Sequence, residues 1–349
     1  MSETSVGLIG YGTSARVFHA PVIQSVRGLS LKKVVERHGN DSSRLHPPVE
    51  VVRDVSALLQ DDRIKLVIIT TPNSSHFELA RQSLIAGKHV VVEKPFTTTS
   101  GQAQELIDLA REQNRVLTVY HNRRWDGDFQ TVGRLLDGKL LGRLVEFESR
   151  FDRFRNSPRP DAWKEQEGEG SGILYDLGSH LIDQARVLFG LPEMITSDLR
   201  IQRDFAKTTD NFELILHYER LKVTLKAGML VREESPRFIL RGTHGSFVKY
   251  GLDPQEEALK QGRAPSEAGW GREPEERWGT LFTEAEGSSV RSKVETVAGS
   301  YQAFYQNVAD AISGRAGLSV KPEEARDTIR IIELAVESSE QRRTVPFSL

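Results

Sequence analysis

The stretch Ala86-Gly87-Lys88-His89-Val90-Val91-Val92-Glu93-Lys94-Pro95 decides the fold. A glycine turn, a run of β-branched residues and a Glu-Lys-Pro exit read as a helix end, a buried parallel strand and a charged loop at the strand's carboxyl end. In open α/β sheets ligands bind at that edge. An amine there, beside an acidic neighbour and partly shielded from water, is equipped to exchange a proton with a hydroxyl undergoing oxidation. Lys94 is therefore the first catalytic candidate. A solvated loop lysine and a strand-stopping proline are the plainer alternative for the same ten residues.

Working outward, the first 120 residues alternate apolar runs with amphipathic segments. Residues 6–9, 31–35, 66–70, 89–92 and 116–119 read as strands, and 15–25, 55–59, 76–85 and 100–114 carry helical spacing. Strict alternation predicts an α/β domain, a parallel sheet with helices on both faces. The first strand runs into Gly10-Tyr11-Gly12-Thr13-Ser14-Ala15, a G-x-G-x-x-A turn that opens a helix. Gly10 permits the turn, Gly12 lets the backbone approach a pyrophosphate, and the small Ala15 lets helix and strand pack closely. Phosphates would rest on the N–H groups of the helix start, beside Thr13 and Ser14.

Glu36 closes the second strand 26 positions after Gly10, near the usual interval of roughly 20 for a ribose-binding acid. Its carboxylate would accept from the adenosine ribose and repel a 2′-phosphate. Arg37 argues the other way, since a guanidinium holds that phosphate or stacks on adenine. The cofactor is accordingly NAD or NADP, with NAD favoured by the acid. The loop Thr70-Thr71-Pro72-Asn73-Ser74-Ser75-His76 follows the third strand at the same edge. Thr71, Pro72 and Asn73 would line the ribose and nicotinamide half, with His76 a helix-start residue facing the loop rather than a catalyst; Glu93 and Lys94 complete the cofactor-binding set.

At 349 residues the chain exceeds the size at which one core keeps growing, so two domains are expected. The boundary is placed after residue 122, in the polar and aromatic cluster Tyr120-His121-Asn122-Arg123-Arg124-Trp125-Asp126. Tyr120, Asn122, Arg123 and Arg124 are placed to meet a hydroxylated substrate; a surface hinge with ion pairs is the bland alternative. Residues 1–122 then form the dinucleotide-binding domain and 123–349 a substrate-binding and dimerisation domain. From residue 144 onward, 144–152, 195–201, 211–218, 221–229 and 237–242 read as longer alternating strands, with a turn at 243–246. They predict an α+β domain with a large, mostly antiparallel, open-faced sheet, a surface suited to a homodimer or a dimer of dimers. Residues 253–280, rich in Gly, Pro and charge, read as a long surface excursion, and helices are expected at 300–313 and 322–340.

With 47 basic against 49 acidic residues and a net charge of −2, the chain has no basic field for nucleic acid or an anionic membrane. It has no cysteine, which excludes disulfides, thiolate metal sites and a cysteine nucleophile and fits a reducing compartment. No apolar run approaches the roughly 20 residues that span a bilayer. The polar residues 1–5 run straight into the first strand without a basic-then-apolar leader. A soluble, cytoplasmic protein is expected.

Within the second domain, Gly170-Ser171-Gly172-Ile173-Leu174-Tyr175-Asp176-Leu177-Gly178-Ser179-His180-Leu181-Ile182-Asp183 predicts a helix beginning near Tyr175. Asp176 and His180, at i and i+4, would share one face. With no third or fourth ligand cluster, a metal is not expected, and the pair reads as an acid/base couple. An Asp176 that caps the helix and a His180 that packs are the plainer reading. Trp163 joins the substrate-binding candidates.

The G-x-G-x-x-A turn, the Ala86-to-Pro95 motif and Gly172-x-x-x-Asp176-x-Gly178-x-His180 together resemble the Gfo/Idh/MocA family, in this order along the chain. Residues 120–126, 174–183 and 248–253 further resemble a branch containing NADP-linked scyllo-inositol dehydrogenases. The resemblance implies that Lys94 and His180 act at the reacting carbinol and that Asp176 binds or orients substrate. Ala15 replaces the family's usual third glycine, a mild change, and Glu36 stands where NADP-using relatives of that branch tend to have a small hydroxyl residue. The expected activity is oxidation of a ring hydroxyl of a cyclic polyol or sugar, the second domain covering the substrate face opposite the cofactor. The rival readings are a non-catalytic NAD(P)-binding sensor, and use of the family's chemistry for glycoside cleavage through transient oxidation or for reduction of a biliverdin-like or imine substrate.

Overall fold

Short β-branched runs dominate the first third of the chain. In the computed structural model, which describes residues 3–160, 162–285 and 287–349, they form a six-stranded parallel sheet of order β3-β2-β1-β4-β5-β6. The strands are β1 (Thr4–Ile9), β2 (Leu29–Val35), β3 (Glu50–Val52), β4 (Leu66–Ile69), β5 (His89–Val92) and β6 (Leu117–Val119). The order reverses between β1 and β4, so the carboxyl ends of these strands frame a ligand crevice. β4 and β5 bury every side chain except that of His89, as a sheet covered on both faces requires. Sequence alone misses β3: three residues, one of them the exposed Glu50, carry no readable period.

The chain divides into two units by its internal contacts, Met1–Trp125 with Gln255–Trp270 and Ser300–Arg326, and Asp126–Pro254 with Gly271–Gly299 and Asp327–Leu349. The first unit thus takes in two segments from beyond residue 122. This corrects the reading of 253–280 as a surface excursion. Within it Gln255–Lys260 is a helix whose Leu259 enters the core of the first unit. Gln255 is fully buried: its Oε1 accepts from Trp270 Nε1 at 3.0 Å and from the Tyr301 N–H at 2.8 Å. Charged neighbours and one short turn of helix hide that burial from a periodicity reading. The helix Gln302–Ile312 adds Phe304, Tyr305 and Val308 to the same core.

The second unit is built on a nine-stranded sheet. Its strands are β7 (Leu144–Arg150), β8 (Met194–Arg200), β9 (Asn211–Tyr218), β10 (Leu221–Gly228), β11 (Phe238–Gly242), β12 (Gly245–Lys249), β13 (Gly279–Ala285), β14 (Ser288–Val294) and β15 (Val345–Pro346), in the order β14-β13-β12-β11-β7-β10-β9-β8-β15. Among the described residues of this sheet only the β7–β10 pair is parallel. Phe212, Leu214 and Leu216 of β9 are buried and alternate with less buried neighbours, the pattern of a sheet with one covered face. The helices Ser179–Phe189 and Pro322–Gln341 belong to that covered side: Phe212 lies 3.3 Å from where a Gly178 Cβ would stand, and the Ser197 hydroxyl bonds the Ala335 carbonyl. Among the described residues no helix is long and apolar enough to cross a membrane.

Candidate active site

In the first unit the carboxyl ends of β1, β4 and β5 bring the glycine turn, the 70–76 loop and Lys94 to one sheet edge. Gly10 holds φ +93°, and a Cβ there would stand 3.1 Å from Thr71 Cγ2, so glycine is required by conformation and by space. A Cβ at Gly12 would meet no atom within 4 Å. Gly12 and Thr13 are exposed, and Ala15 is fully buried against the sheet. This is an open backbone cradle at a helix start, and it fits a pyrophosphate. The helix begins with a π-helical turn, Ala15–His19, before the α-helical Ala20–Gln24.

Glu93 does not face solvent as a free acid. Its Oε1 accepts from the Ser14 hydroxyl and from His19 Nε2 at 2.9 Å, and its Oε2 from the Lys94 N–H at 2.8 Å. Burial alone would push the carboxyl up, but the hydrogen bond and charge of His19, the charge of Lys94 and the Ser14 hydroxyl hold it at about 2. His19 is fully buried, with Nδ1 2.5 Å from the Tyr305 hydroxyl and its ring 4.3 Å from that of Tyr120. Burial raises the Tyr305 phenol well above its ordinary value. Lys94 itself is half-buried.

The other cofactor candidates divide by exposure. Pro72 is exposed, Thr71 is half-buried and Asn73 is buried. His76 is buried beneath the loops, with Nδ1 2.9 Å from the Pro95 carbonyl and Nε2 2.9 Å from the Thr71 carbonyl. Burial pushes it below its ordinary value; the ring lies between the loops after β4 and β5, and as a neutral imidazole it donates to one of the two carbonyls. Glu36 is buried at the end of β2 and Arg37 is exposed beside it.

Three of the proposed substrate contacts are engaged within the first unit. The Tyr120 ring is buried and its hydroxyl donates to the Phe18 carbonyl at 2.8 Å. Arg123 pairs with Glu256, whose carboxyl burial would raise but which Arg123 and Lys260 bring down to about 2. Arg124 Nη1 lies 2.7 Å from Glu324 and donates to the Ser319 carbonyl at 2.8 Å. Asn122 is buried. The plainer alternative of ion pairs holds for the two arginines, but these pairs are buried rather than at a surface hinge.

In the second unit Gly172 holds φ +83°, and a Cβ there would stand 3.0 Å from the Thr209 carbonyl oxygen. Its N–H donates to the Lys164 carbonyl at 2.9 Å. A π-helical turn, Leu174–Gly178, follows and passes into Ser179–Phe189. Asp176, inside this turn, is half-buried and accepts from Lys164 Nζ at 2.5 Å. His180 is buried at 6% exposure. Trp163 is 39% exposed, and the Lys164 ammonium stands 5.7 Å from the centre of its ring.

The sequence reading misses His19, Tyr305 and Lys164. Nothing in local spacing marks them. Tyr305 lies 286 residues from His19, and Lys164 sits in an irregular segment 12 residues before Asp176.

A dinucleotide cradle on a doubly wound sheet, carried with a second unit of open-faced sheet, defines a nicotinamide-dependent oxidoreductase. The profile described as "Oxidoreductase family, NAD-binding Rossmann fold" matches residues 4–121, and "Oxidoreductase family, C-terminal alpha/beta domain" matches residues 134–347. The chain belongs to the Gfo/Idh/MocA oxidoreductase family. It is 46% identical over 341 residues, 97% of both chains, to the uncharacterized oxidoreductase YdgJ of Escherichia coli. It is 40% identical to scyllo-inositol 2-dehydrogenase (NADP(+)) IolW of Bacillus subtilis, over 97% of this chain and 95% of that one. A solved structure of an oxidoreductase from Bacillus cereus superposes with a TM-score of 0.91 at 35% identity, covering 99% of each chain.

Proposed function

We propose that the chain oxidises a ring hydroxyl of a cyclic polyol or sugar, an inositol-like ring being the first candidate, with NAD or NADP as hydride acceptor. The observation that carries this reading is Lys94, a half-buried amine at the carboxyl edge of β5, on the same edge as the open Gly12 turn. The scyllo-inositol activity in the name of the IolW relative supports the substrate class.

In this reading Gly10, Gly12, Thr13, Ser14 and Ala15 hold the pyrophosphate and Thr71, Pro72 and Asn73 flank the ribose and nicotinamide. The bound nicotinamide supplies the hydride-accepting carbon. His180 takes the hydroxyl proton, a task suited to an imidazole near neutral pH. Lys94 donates to the oxygen and stabilises the charge that develops there. Asp176, held by Lys164, orients a second hydroxyl, and Trp163 offers an apolar face to the ring. Residues 1–122 bind the dinucleotide; residues 123–349 bind substrate and form a homodimer through the open face of their sheet, in the reducing cytoplasm that a cysteine-free chain suits.

A spectrophotometric screen of inositols, aldoses and sugar acids with both dinucleotides tests the activity. Dinucleotide binding without reduction by any compound of the panel would replace the dehydrogenase with a sensor. Light scattering at micromolar concentration should give at least twice the mass of one chain, and a monomer there would remove the dimer.

A further inference from the structure

Glu36 sits where an acid ordinarily binds the adenosine ribose of NAD and rejects the 2′-phosphate of NADP. In this chain the carboxylate is already engaged. Its Oε1 accepts from the Asp41 N–H at 3.0 Å, and its Oε2 from the Ser42 N–H at 3.0 Å and the Ser42 hydroxyl at 2.6 Å. The residue is 6% exposed. Gly39, at φ +83°, carries the chain back over it; a Cβ there would stand 3.1 Å from Oε1. Arg53 Nη1 closes the loop by donating to the carbonyls of Glu36 at 2.6 Å and Gly39 at 2.5 Å. Burial alone would raise the Glu36 carboxyl, but the Ser42 and Asp41 donors and the charge of Arg53 hold it below its ordinary value, so it is an anion turned into its own loop.

The same loop turns two arginines outward. Arg37 and Arg44 are both exposed. Asp41 gathers two arginines from different elements, with Arg16 Nη1 of the glycine-turn helix 3.5 Å from Oδ2 and Arg44 Nη1 3.7 Å from Oδ1. The glycine turn is tied to this strand end, because the Gly10 N–H donates to the Val35 carbonyl at 3.0 Å. Between the two glycines, the Tyr11 phenol is raised by burial and by the charge of Glu36, and lowered by that of Arg16. The strand end and the cradle tied to it therefore carry three exposed guanidiniums, Arg16 and Arg44 paired with Asp41, while the acid expected to reject phosphate is buried in its own loop.

We propose that this unit takes NADP in preference to NAD, with Arg16, Arg37 and Arg44 receiving the 2′-phosphate and Glu36 acting as a buried strut of the loop, not as a ribose ligand. The inference rests on the reading of this unit as a nicotinamide-dinucleotide site. Guanidiniums suit the role, since their forked donors match phosphate oxygens.

Calorimetric titration of the full chain with NADPH, NADH, 2′,5′-ADP and 5′-ADP, without substrate, tests it. NADPH should bind at least about tenfold tighter than NADH, and 2′,5′-ADP tighter than 5′-ADP by a similar factor, the worth of one charge-assisted hydrogen bond or more. The double variant Arg37→Ala, Arg44→Ala changes only exposed side chains. It should erase that ratio and leave NADH affinity within about threefold. Glu36→Gln should raise NADPH affinity by less than about threefold, because no repulsion of phosphate is relieved. Tighter binding of NADH than NADPH, a ratio unmoved by the arginine changes, or a tenfold gain of NADPH affinity in Glu36→Gln overturns the proposal while leaving the dinucleotide site in place. A folded chain that binds neither dinucleotide removes the site itself, and the proposal with it.

Discussion

Ala15–His19 and Leu174–Gly178 are both π-helical turns, each following a loop with a glycine at positive φ and each passing directly into an α-helix. Such turns cost regular hydrogen bonding and concentrate at functional sites. The two use the irregularity differently. The first delivers His19 into the core, where Tyr305 and Glu93 take both ring nitrogens. The second leaves Asp176 half-buried, bonded to a lysine whose side chain is 44% exposed. His19 of the first turn is consumed in the chain from Tyr305 to Glu93, next to Lys94. Asp176 of the second stays within reach of solvent.

The largest effects should come from the two residues assigned to proton handling. Lys94→Ala should lower turnover by roughly 10²-fold or more with dinucleotide affinity within a few-fold, and unchanged turnover would take Lys94 out of the mechanism. His180→Asn should cost a similar factor. The wild-type oxidation rate should rise with pH through one ionisation between roughly 6 and 8, and the variant should lose that inflection. An inflection that survives in His180→Asn makes Lys94 the proton acceptor, and the two roles must be exchanged.

A smaller effect separates the turns by stability. His19→Leu takes one donor from a buried carboxylate and should cost about 2 kcal/mol in chemical denaturation, the scale for a hydrogen bond to a charged group. It should also flatten the response to acid. Glu93 is depressed to about 2 from an ordinary 4.5, so its contribution is fully present above about 4.5 and is lost as pH falls through 2. Without His19 its folded value rises toward 4.5, and less stability is left to lose in that window. A variant as stable as wild type, with an unchanged acid limb, would show that the Tyr305–His19–Glu93 chain holds nothing.

How much of this is legible in sequence follows from where each signal lies. Val55–Leu59, His76–Ile85, His89–Val92 and Asn211–Tyr218 coincide with their expected bounds, because the apolar period changes abruptly at their ends. β14 is invisible: its side chains are exposed almost throughout, so Ser288 to Val294 show no burial alternation to read. Its partner β13 and the strand β12 were lost with it, behind a turn and a charged segment. Gly10, Gly12 and Lys94 announce themselves through local geometry. Arg123 and Arg124 are read less fully, since nothing near them in sequence shows their partners Glu256 and Glu324, 133 and 200 residues away. Glu36 likewise reads as a free acid at a strand end until the turn at Asp41–Arg44 is seen folded back upon it.

The smallest stability effect, and the one that most sharpens the contrast, belongs to Lys164. Its ion pair with Asp176 has a cation nearly half exposed, and pairs of that kind contribute about 0–1 kcal/mol. Lys164→Met should therefore leave the denaturation midpoint almost unchanged, unlike His19→Leu. The consequence should appear in kinetics. Losing the ammonium removes one donor that orients Asp176, so a substrate hydroxyl would meet a carboxylate of less defined geometry. The KM for substrate should rise several-fold while dinucleotide affinity stays put, and Lys164→Arg, which restores a cation, should recover most of the loss. If Lys164→Met instead destabilises the protein by as much as His19→Leu and leaves KM untouched, the second π turn is a structural knot like the first, and Asp176 must be withdrawn from the substrate site.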